Sequence, residues 1–276
     1  MKTVISLCDL TGHMVLPWAE AGYECYVFDI QHPYGVNQHK LHHNIKMVGG
    51  SIMVDWVDRF LESEAFEDIK IAFAFPPCTD LTGSGSRWWA SKGENAYIYA
   101  MAMVSRCRDL LDGTGVPWML ENPPGRINSG SQGLGPNVAP HPARWKEKWN
   151  HRFQPFQYGG YDDIGKWFWD HHGAQLWRTW ASEVGQDPSV CLLKHAKAYT
   201  AWLQGNFDIK LHVDSDGYHK STCLWTGNGF VMPEIKPIGL HAKADKVHKC
   251  SPGKERANIR SATPMGFARA VYTANN

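Results

Sequence analysis

The first thirty residues narrow the fold to one class. Residues 4–7 read as a short buried strand, Asp9, Thr11 and Gly12 as a turn, residues 15–21 as an apolar helix ended by Gly22, and residues 26–30 as a second strand closed by Asp29 and Gln31. A helix between two strands is the connection that parallel strands require, and it opens a doubly wound α/β domain. The pattern continues downstream. A helix is expected at 54–61 and a strand at 69–75, stopped by Pro76-Pro77. A long helix at 96–111 ends at Gly113 and Gly115, and a strand at 117–120 stops at Glu121-Asn122-Pro123-Pro124. A further strand is expected at 222–225, then a turn at Gly227-Asn228-Gly229 and a last helix at 263–274. Residues 33–50, rich in His, Asn and Gly, are expected to be loop, as are residues 128–142.

A length of 276 residues allows one large domain or a domain with a small insert. Residues 162–217 differ from their surroundings: they hold five tryptophans, five basic and eight acidic residues, and are expected to form a partly helical inserted subdomain. The remainder, 1–161 and 218–276, then forms the main domain. Lys plus Arg number 28 and Asp plus Glu 27, so a basic nucleic-acid surface has to be local. Two runs qualify: Arg144, Lys146, Lys148 and Arg152, and Lys243, Lys246, Lys249, Lys254, Arg256 and Arg260. The seven cysteines are odd in number and contain no CxxC pair, against a disulfide framework or a zinc ribbon. No metal site is expected, since the pairs His42-His43 and His171-His172 read as solvated loop. The N-terminus lacks a signal-peptide pattern and no apolar run reaches the ~18–20 residues of a membrane span. A cytoplasmic monomer with no membrane contact, working inside a bacterial host cell, is the expectation.

Ligands of open α/β sheets sit beyond the carboxyl ends of the strands, and chemistry-bearing residues fall there repeatedly. The first strand runs into Asp9-Leu10-Thr11-Gly12-His13-Met14, where a glycine turn lets a ligand approach the backbone. The second ends at Asp29, where an acid can accept hydrogen bonds from both hydroxyls of a ribose. Asp55 is a third acid, placed to hold an adenine amino group. Ordinary turn and cap residues would look the same. There is no GxGxxG, so a dinucleotide has little support.

Phe75-Pro76-Pro77-Cys78-Thr79-Asp80 says more. Two prolines stiffen a loop and present a cysteine at a strand end, a poor way to build a core and a good way to expose a nucleophile. The next strand adds Glu121-Asn122-Pro123, with a glutamate expected to face the same pocket. Carbon 5 of cytosine is too weakly nucleophilic to take a methyl group unaided. A thiolate added at carbon 6 makes carbon 5 enamine-like, and a carboxylic acid at ring nitrogen 3 stabilises the adduct. The base must leave the helix to reach such a pocket.

In these segments the chain resembles the DNA cytosine-5 methyltransferase family, especially its compact bacteriophage members. The resemblance rests on residues 7–12 with Pro17-Trp18-Ala19-Glu20-Ala21-Gly22, on Pro76-Pro77-Cys78-Thr79, on Glu121-Asn122-Pro123, and on residues 220–227 and 256–264. It implies a Rossmann-like mixed sheet with helices on both faces. It implies S-adenosylmethionine held by Asp9, Leu10, Thr11, Gly12, His13, Met14, Asp29, Ile30, Asp55, Trp56, Pro76 and Ser261. Cys78 would be the nucleophile and Glu121 the acid on the base, with double-stranded DNA, its target cytosine flipped out, as substrate.

The resemblance is not uniform. The first motif of the family usually carries more glycine, and Gln-x-Phe-Ser usually follows the cysteine where this chain has Thr79-Asp80-Leu81-Thr82. The paired arginines near the base are replaced by His219-Lys220-Ser221-Thr222, so Lys220 or Arg87 is expected at the base carbonyl. A zinc deaminase is excluded because Leu81 stands where a second cysteine would be needed. A thymidylate-synthase-like hydroxymethylase does not begin with a strand–turn–helix unit. An RNA cytosine methyltransferase and a catalytically inactive DNA-binding relative are the alternatives. Residues 162–217 are expected to do target recognition, with His171, His172, Lys194, His195 and Lys197 reaching DNA.

Overall fold

A computed structural model describes residues 2–63, 66, 68–127, 149–207, 214–253 and 255–276. The loop expected at 128–142 and the basic residues Arg144, Lys146, Lys148 and Lys254 lie outside the described residues. Among the described residues seven strands are formed: β1 (Thr3–Leu7), β2 (Glu24–Gln38), β3 (Ile45–Gly49), β4 (Ile69–Ala74), β5 (Trp118–Asn122), β6 (His151–Phe153) and β7 (Thr222–Gly227). Their order is β3-β2-β1-β4-β5-β7-β6. The pairings from β3 through β5 start out parallel, and β7 runs antiparallel to β5. The fold is therefore the Rossmann-like mixed α/β sheet expected. Strand order reverses at β1, which makes the β1–β4 edge the topological switch point.

The chain divides into two compact units, residues 1–152 with 221–230, and residues 153–220 with 231–276. In the first, side chains alternate across the strands. Ile5, Leu7, Tyr26, Phe28, Ala72, Ala74 and Leu120 share a core with Val57 of α2 (Trp56–Leu61) and with Val104, Cys107 and Leu111 of α3 (Trp89–Gly113). The intervening Val4, Val27, Ile71 and Phe73 are equally buried on the other face. There Trp18 of α1 (Leu16–Glu20) packs its ring 5.2 Å from Phe73. Period-two burial on the strands thus places helices on both faces. Tyr97, Ala100, Met101, Val104, Cys107 and Leu111 repeat at helical spacing along α3, and Gly93, at φ 74°, kinks its first turn away from the rest.

One expectation is overturned. Residues 33–50 are not mainly loop: β2 continues to Gln38 and β3 occupies Ile45–Gly49. β2 first pairs forward with β3, Cys25 with Ile45 through Asp29 with Gly49, and then returns along it, Val36 with Val48 and Gln38 with Lys46. The return depends on Gly49, where a Cβ would lie 2.1 Å from the Pro33 carbonyl oxygen. Backbone pairing builds this element, so a polar composition hid it.

The second unit contains α4 (Asp163–Phe168), a π turn at Trp169–Gly173, α5 (Ala174–Glu183), α6 (Leu193–Asn206), α7 (Arg256–Ser261) and α8 (Met265–Asn275). Its core joins Phe156, Trp177, Trp180, Tyr199, Leu203 and Leu240, with Trp169 and Trp202 packed against it. Trp177 and Trp180 stack at 5.0 Å. Of the five tryptophans in 162–217, only Trp167 is well exposed, at 62%. Among the described residues no helix is long and apolar enough to cross a membrane.

Candidate active site

Strand register determines which residues meet at the carboxyl edge. Phe28, Leu7 and Ala74 lie side by side on β2, β1 and β4, and Ala74 pairs Leu120 on β5. One residue further along, the row reads Asp29, Cys8, Phe75 and Glu121. Neighbouring strands are about 4.8 Å apart, so Asp29, expected at the cofactor, and Glu121, expected at the base, share one edge of the first unit.

The turn after β1 is shaped by Asp9, which is almost fully buried. Its Oδ1 accepts hydrogen bonds from the Thr11 and Gly12 amides at 3.1 and 2.8 Å and from the Thr11 hydroxyl at 3.2 Å, while Oδ2 accepts from Ser6 Oγ at 2.8 Å. The Asp9 carboxylate therefore folds the turn. Gly12 is needed for its φ of 66°. Leu10 and His13 are half-buried, and Met14 is entirely buried.

Asp29 is half-buried at the end of the forward part of β2. Burial holds its carboxyl above the usual carboxylate range, opposed by the Gln31 amide, which donates to Oδ1 at 2.8 Å, and by His32. Beside it Ile30 is 72% exposed, an apolar side chain with no place in the core. Asp55 caps α2 by position but makes no capping bond and faces solvent. Half-buried Trp56 presses its ring against Gly50, where a Cβ would stand 2.6 Å from it.

The loop after β4 is tied to the loop after β5. Asn122 donates its side-chain amide to the Pro76 carbonyl at 2.9 Å. The Gly83 amide donates to the Pro124 carbonyl at 3.1 Å and the Arg126 amide to the Leu81 carbonyl at 2.7 Å. The Cys78 carbonyl accepts from the Leu81 and Thr82 amides at 3.0 and 2.8 Å, closing a tight turn around the cysteine. Gly125 is the point of closest approach, where a Cβ would fall 1.9 Å from the Leu81 oxygen. The motifs of Cys78 and Glu121, over forty residues apart in sequence, are thus bonded together. Pro76 is buried, Pro77 exposed, and Cys78 and Glu121 half-buried. Asn122 and Gly125 fasten the two loops; sequence reading passed over both, although Asn122 sits inside the quoted motif.

Cys78 is half-buried, whereas Cys25, Cys107, Cys191 and Cys223 are buried. Cys8 is pushed well up by its hydrogen bond with Cys107, 3.9 Å away, and by burial, and burial pushes Cys191 up to about 12. Cys25 is raised by burial as well. A high pKa makes a thiol unreactive.

Arg87 lies exposed in a 3₁₀ turn (Gly83–Trp88) that follows the cysteine loop, its guanidinium 5.1 Å from the ring of Trp88, itself 55% exposed. Lys220 and Ser261 belong to the second unit and are brought together there: the lysine ammonium donates to the Ser261 and Ala262 carbonyls at 3.2 and 3.3 Å. Several residues of the expected basic runs have local acceptors. Arg152 donates to Ser221, Lys249 pairs with Asp245, and Lys246 reaches the Ser215 carbonyl and the face of Tyr218. His195 is buried beside Trp180, whereas His171 stacks on exposed Trp167 at 4.7 Å. Among the described residues no group of three or more His, Cys, Asp or Glu side chains is placed to hold a metal ion.

No protein-family model matches the chain, and no curated protein matches it. Among solved structures it is similar to a candidate DNA modification methyltransferase encoded within a prophage of E. coli, at 16% identity and a TM-score of 0.31, over 58% of this chain and 43% of that one. The chain thus matches less than half the length of that neighbour. A likeness this distant assigns no activity, and the functional reading rests on the site itself.

Proposed function

We propose that the chain is an S-adenosylmethionine-dependent DNA methyltransferase acting on carbon 5 of cytosine. The observation that carries this reading is the bonded pair of loops that brings the Cys78 and Glu121 motifs to the same sheet edge as the Gly12 turn and Asp29. The donor set suits the cofactor. Asp29 offers a carboxylate to a ribose diol, exposed Ile30 an apolar surface to a purine face, Asp55 an acceptor to an amino group, and the Gly12 turn close backbone approach. When bound, S-adenosylmethionine supplies an electrophilic methyl group.

The chain's own residues do the rest. Cys78, as thiolate, adds to carbon 6 of the flipped base and raises electron density at carbon 5. Glu121 hydrogen-bonds ring nitrogen 3 and stabilises the charge this addition creates. After carbon 5 is substituted, loss of its proton expels the Cys78 sulfur and restores the aromatic ring. Arg87 suits the base carbonyl better than Lys220, whose ammonium already donates to two backbone carbonyls. The 162–217 segment takes the recognition role, with Trp167 the aromatic able to meet DNA.

Bisulfite sequencing of plasmid DNA from cells expressing the protein tests activity and sequence context together. Protected cytosines in a fixed context are expected; a pattern identical to that of the empty vector refutes the proposal. Gly125→Ala is a subtler probe. A methyl group 1.9 Å from the Leu81 oxygen must push the two loops apart. A displacement near 1 Å at reacting groups costs on the order of 10²-fold in rate. Methylation by Gly125→Ala is expected to fall by about that factor while cofactor affinity, measured by titration calorimetry, stays unchanged.

A further inference from the structure

The turn from Asp9 to Gly12 is held from two sides. From within, the Asp9 carboxylate gathers the amides of Thr11 and Gly12. From outside, His32 in the return part of β2 and His39 just after it pack against the turn. His32 and His39 are only 7% and 6% exposed, and their rings lie 6.4 Å apart edge to face. His32 Nε2 lies 3.1 Å from the Asp9 carbonyl oxygen. The His39 ring also packs directly beneath Gly12, where a Cβ would meet its Cε1 and Nε2 at 3.6 Å.

The protonation pattern follows from these partners. A carbonyl can only accept, so His32 Nε2 must carry a hydrogen. His39 Nδ1 accepts the Leu41 amide at 3.1 Å, which leaves Nε2 as the donor in the neutral ring. Burial, then the neighbouring His32, lowers the His39 pKa; Asp9 pulls the other way and Lys40 adds to the lowering. The segment presenting both rings is itself fixed, since Gly49 packs against Pro33 and the His39 amide donates to the Ile45 carbonyl at 2.9 Å. The turn needs such support: it begins at Cys8 with φ 54°, a left-handed conformation that a residue with a side chain keeps only when its surroundings over-determine it.

We infer that His32 and His39 are positioning residues for the cofactor site, His32 by holding the Asp9 carbonyl and His39 by packing beneath Gly12, so that the Thr11–Gly12 backbone keeps the shape against which S-adenosylmethionine docks. This rests on the cofactor reading above. The two side chains touch the turn and not the reacting atoms, so they govern affinity and leave the chemical step alone.

Titration calorimetry with S-adenosylmethionine and with S-adenosylhomocysteine tests this on the full chain. One net hydrogen bond corresponds to about 3–10-fold in affinity. His39→Leu and His32→Leu are each expected to bind about 3–10-fold more weakly, and KM for the cofactor should rise by the same factor while kcat on DNA stays within about twofold. His32→Gln, whose amide nitrogen stands close to the position of Nε2, should recover most of the loss. Should the leucine variants not fold, His32→Asn, whose amide stops short of the Asp9 carbonyl, and His39→Ala, which empties the space beneath Gly12, take their place. Leucine, asparagine or alanine variants that bind like the wild type, or a His32→Gln variant that binds no better than His32→Leu, overturn the inference alone. A wild type that binds neither compound overturns the cofactor reading and this inference with it.

Discussion

Cys78→Ala is expected to abolish methylation, lowering the rate by at least about 10⁴-fold, the scale on which removal of a covalent nucleophile acts. The expectation has a structural basis beyond residue type. Cys78 stands half-exposed in a turn closed by two amides on its own carbonyl, on a loop bonded to the Glu121 strand. Cys8, Cys25 and Cys191 are buried or hydrogen-bonded thiols with raised pKa and cannot replace it. DNA carrying 5-fluorocytosine separates the roles, because fluorine at carbon 5 cannot leave as a proton does. Wild-type protein with cofactor should form a stable adduct that peptide mass mapping places on Cys78. Cys78→Ala should form none, whereas Glu121→Gln should form the same adduct about 10²–10⁴-fold more slowly. Normal methylation by Cys78→Ala, or an adduct on half-exposed Cys250, would rule out the nucleophile assignment.

The two halves of the chain differ in how much their sequence discloses. In the first unit, residues 4–7, 54–61, 69–75 and 117–120 fall within a residue or two of the elements observed, because apolar strands end at glycine, proline or acid and the helices carry a clear helical period. The β2 return was hidden because it depends on backbone pairing and on Gly49 meeting Pro33, neither of which leaves a hydrophobic pattern. It carries His32 to the Asp9 carbonyl and leads directly into His39 beneath Gly12. The Pro-Pro-Cys and Glu-Asn motifs can each be read from sequence, but their adjacency requires register: Ala74 opposite Leu120, Asn122 on Pro76, Gly125 under Leu81. In the second unit α7 went unread, because six residues with four polar side chains carry no apolar stripe. Nothing in the sequence sets Asp162 and Asp216 apart from the other acids of their segment, and their burial shows only in the structure.

That acid pair makes stability depend on pH in an unusual direction. Asp216 is buried; its Oδ2 accepts the Gly266 amide at the start of α8 at 2.7 Å, and its own amide donates to Asp162 Oδ2 at 3.0 Å. Burial, and then the charge of Asp162, raise its carboxyl to about 7, against the pull of the Gly266 amide and of Lys246 and Lys220. An unfolded aspartate titrates near ~3.9. Between those values the folded state binds the extra proton, so this group's stabilising contribution is complete below about pH 4 and is lost as pH rises through about 7. A shift of about three units corresponds to roughly 4 kcal/mol. In Asp216→Asn the amide oxygen can still accept from Gly266, and the amide nitrogen offers the Asp162 carboxylate a donor in place of a second charge. Urea unfolding at pH 4 to 8 should find the variant close to the wild type at the acid end and more stable at pH 8, by up to about 4 kcal/mol. Titrations elsewhere in the chain are common to both proteins and cancel in the comparison. A stability difference that does not change with pH would mean that Asp216 is ionised throughout, with Asp162, Lys246 and Lys220 balanced differently around it.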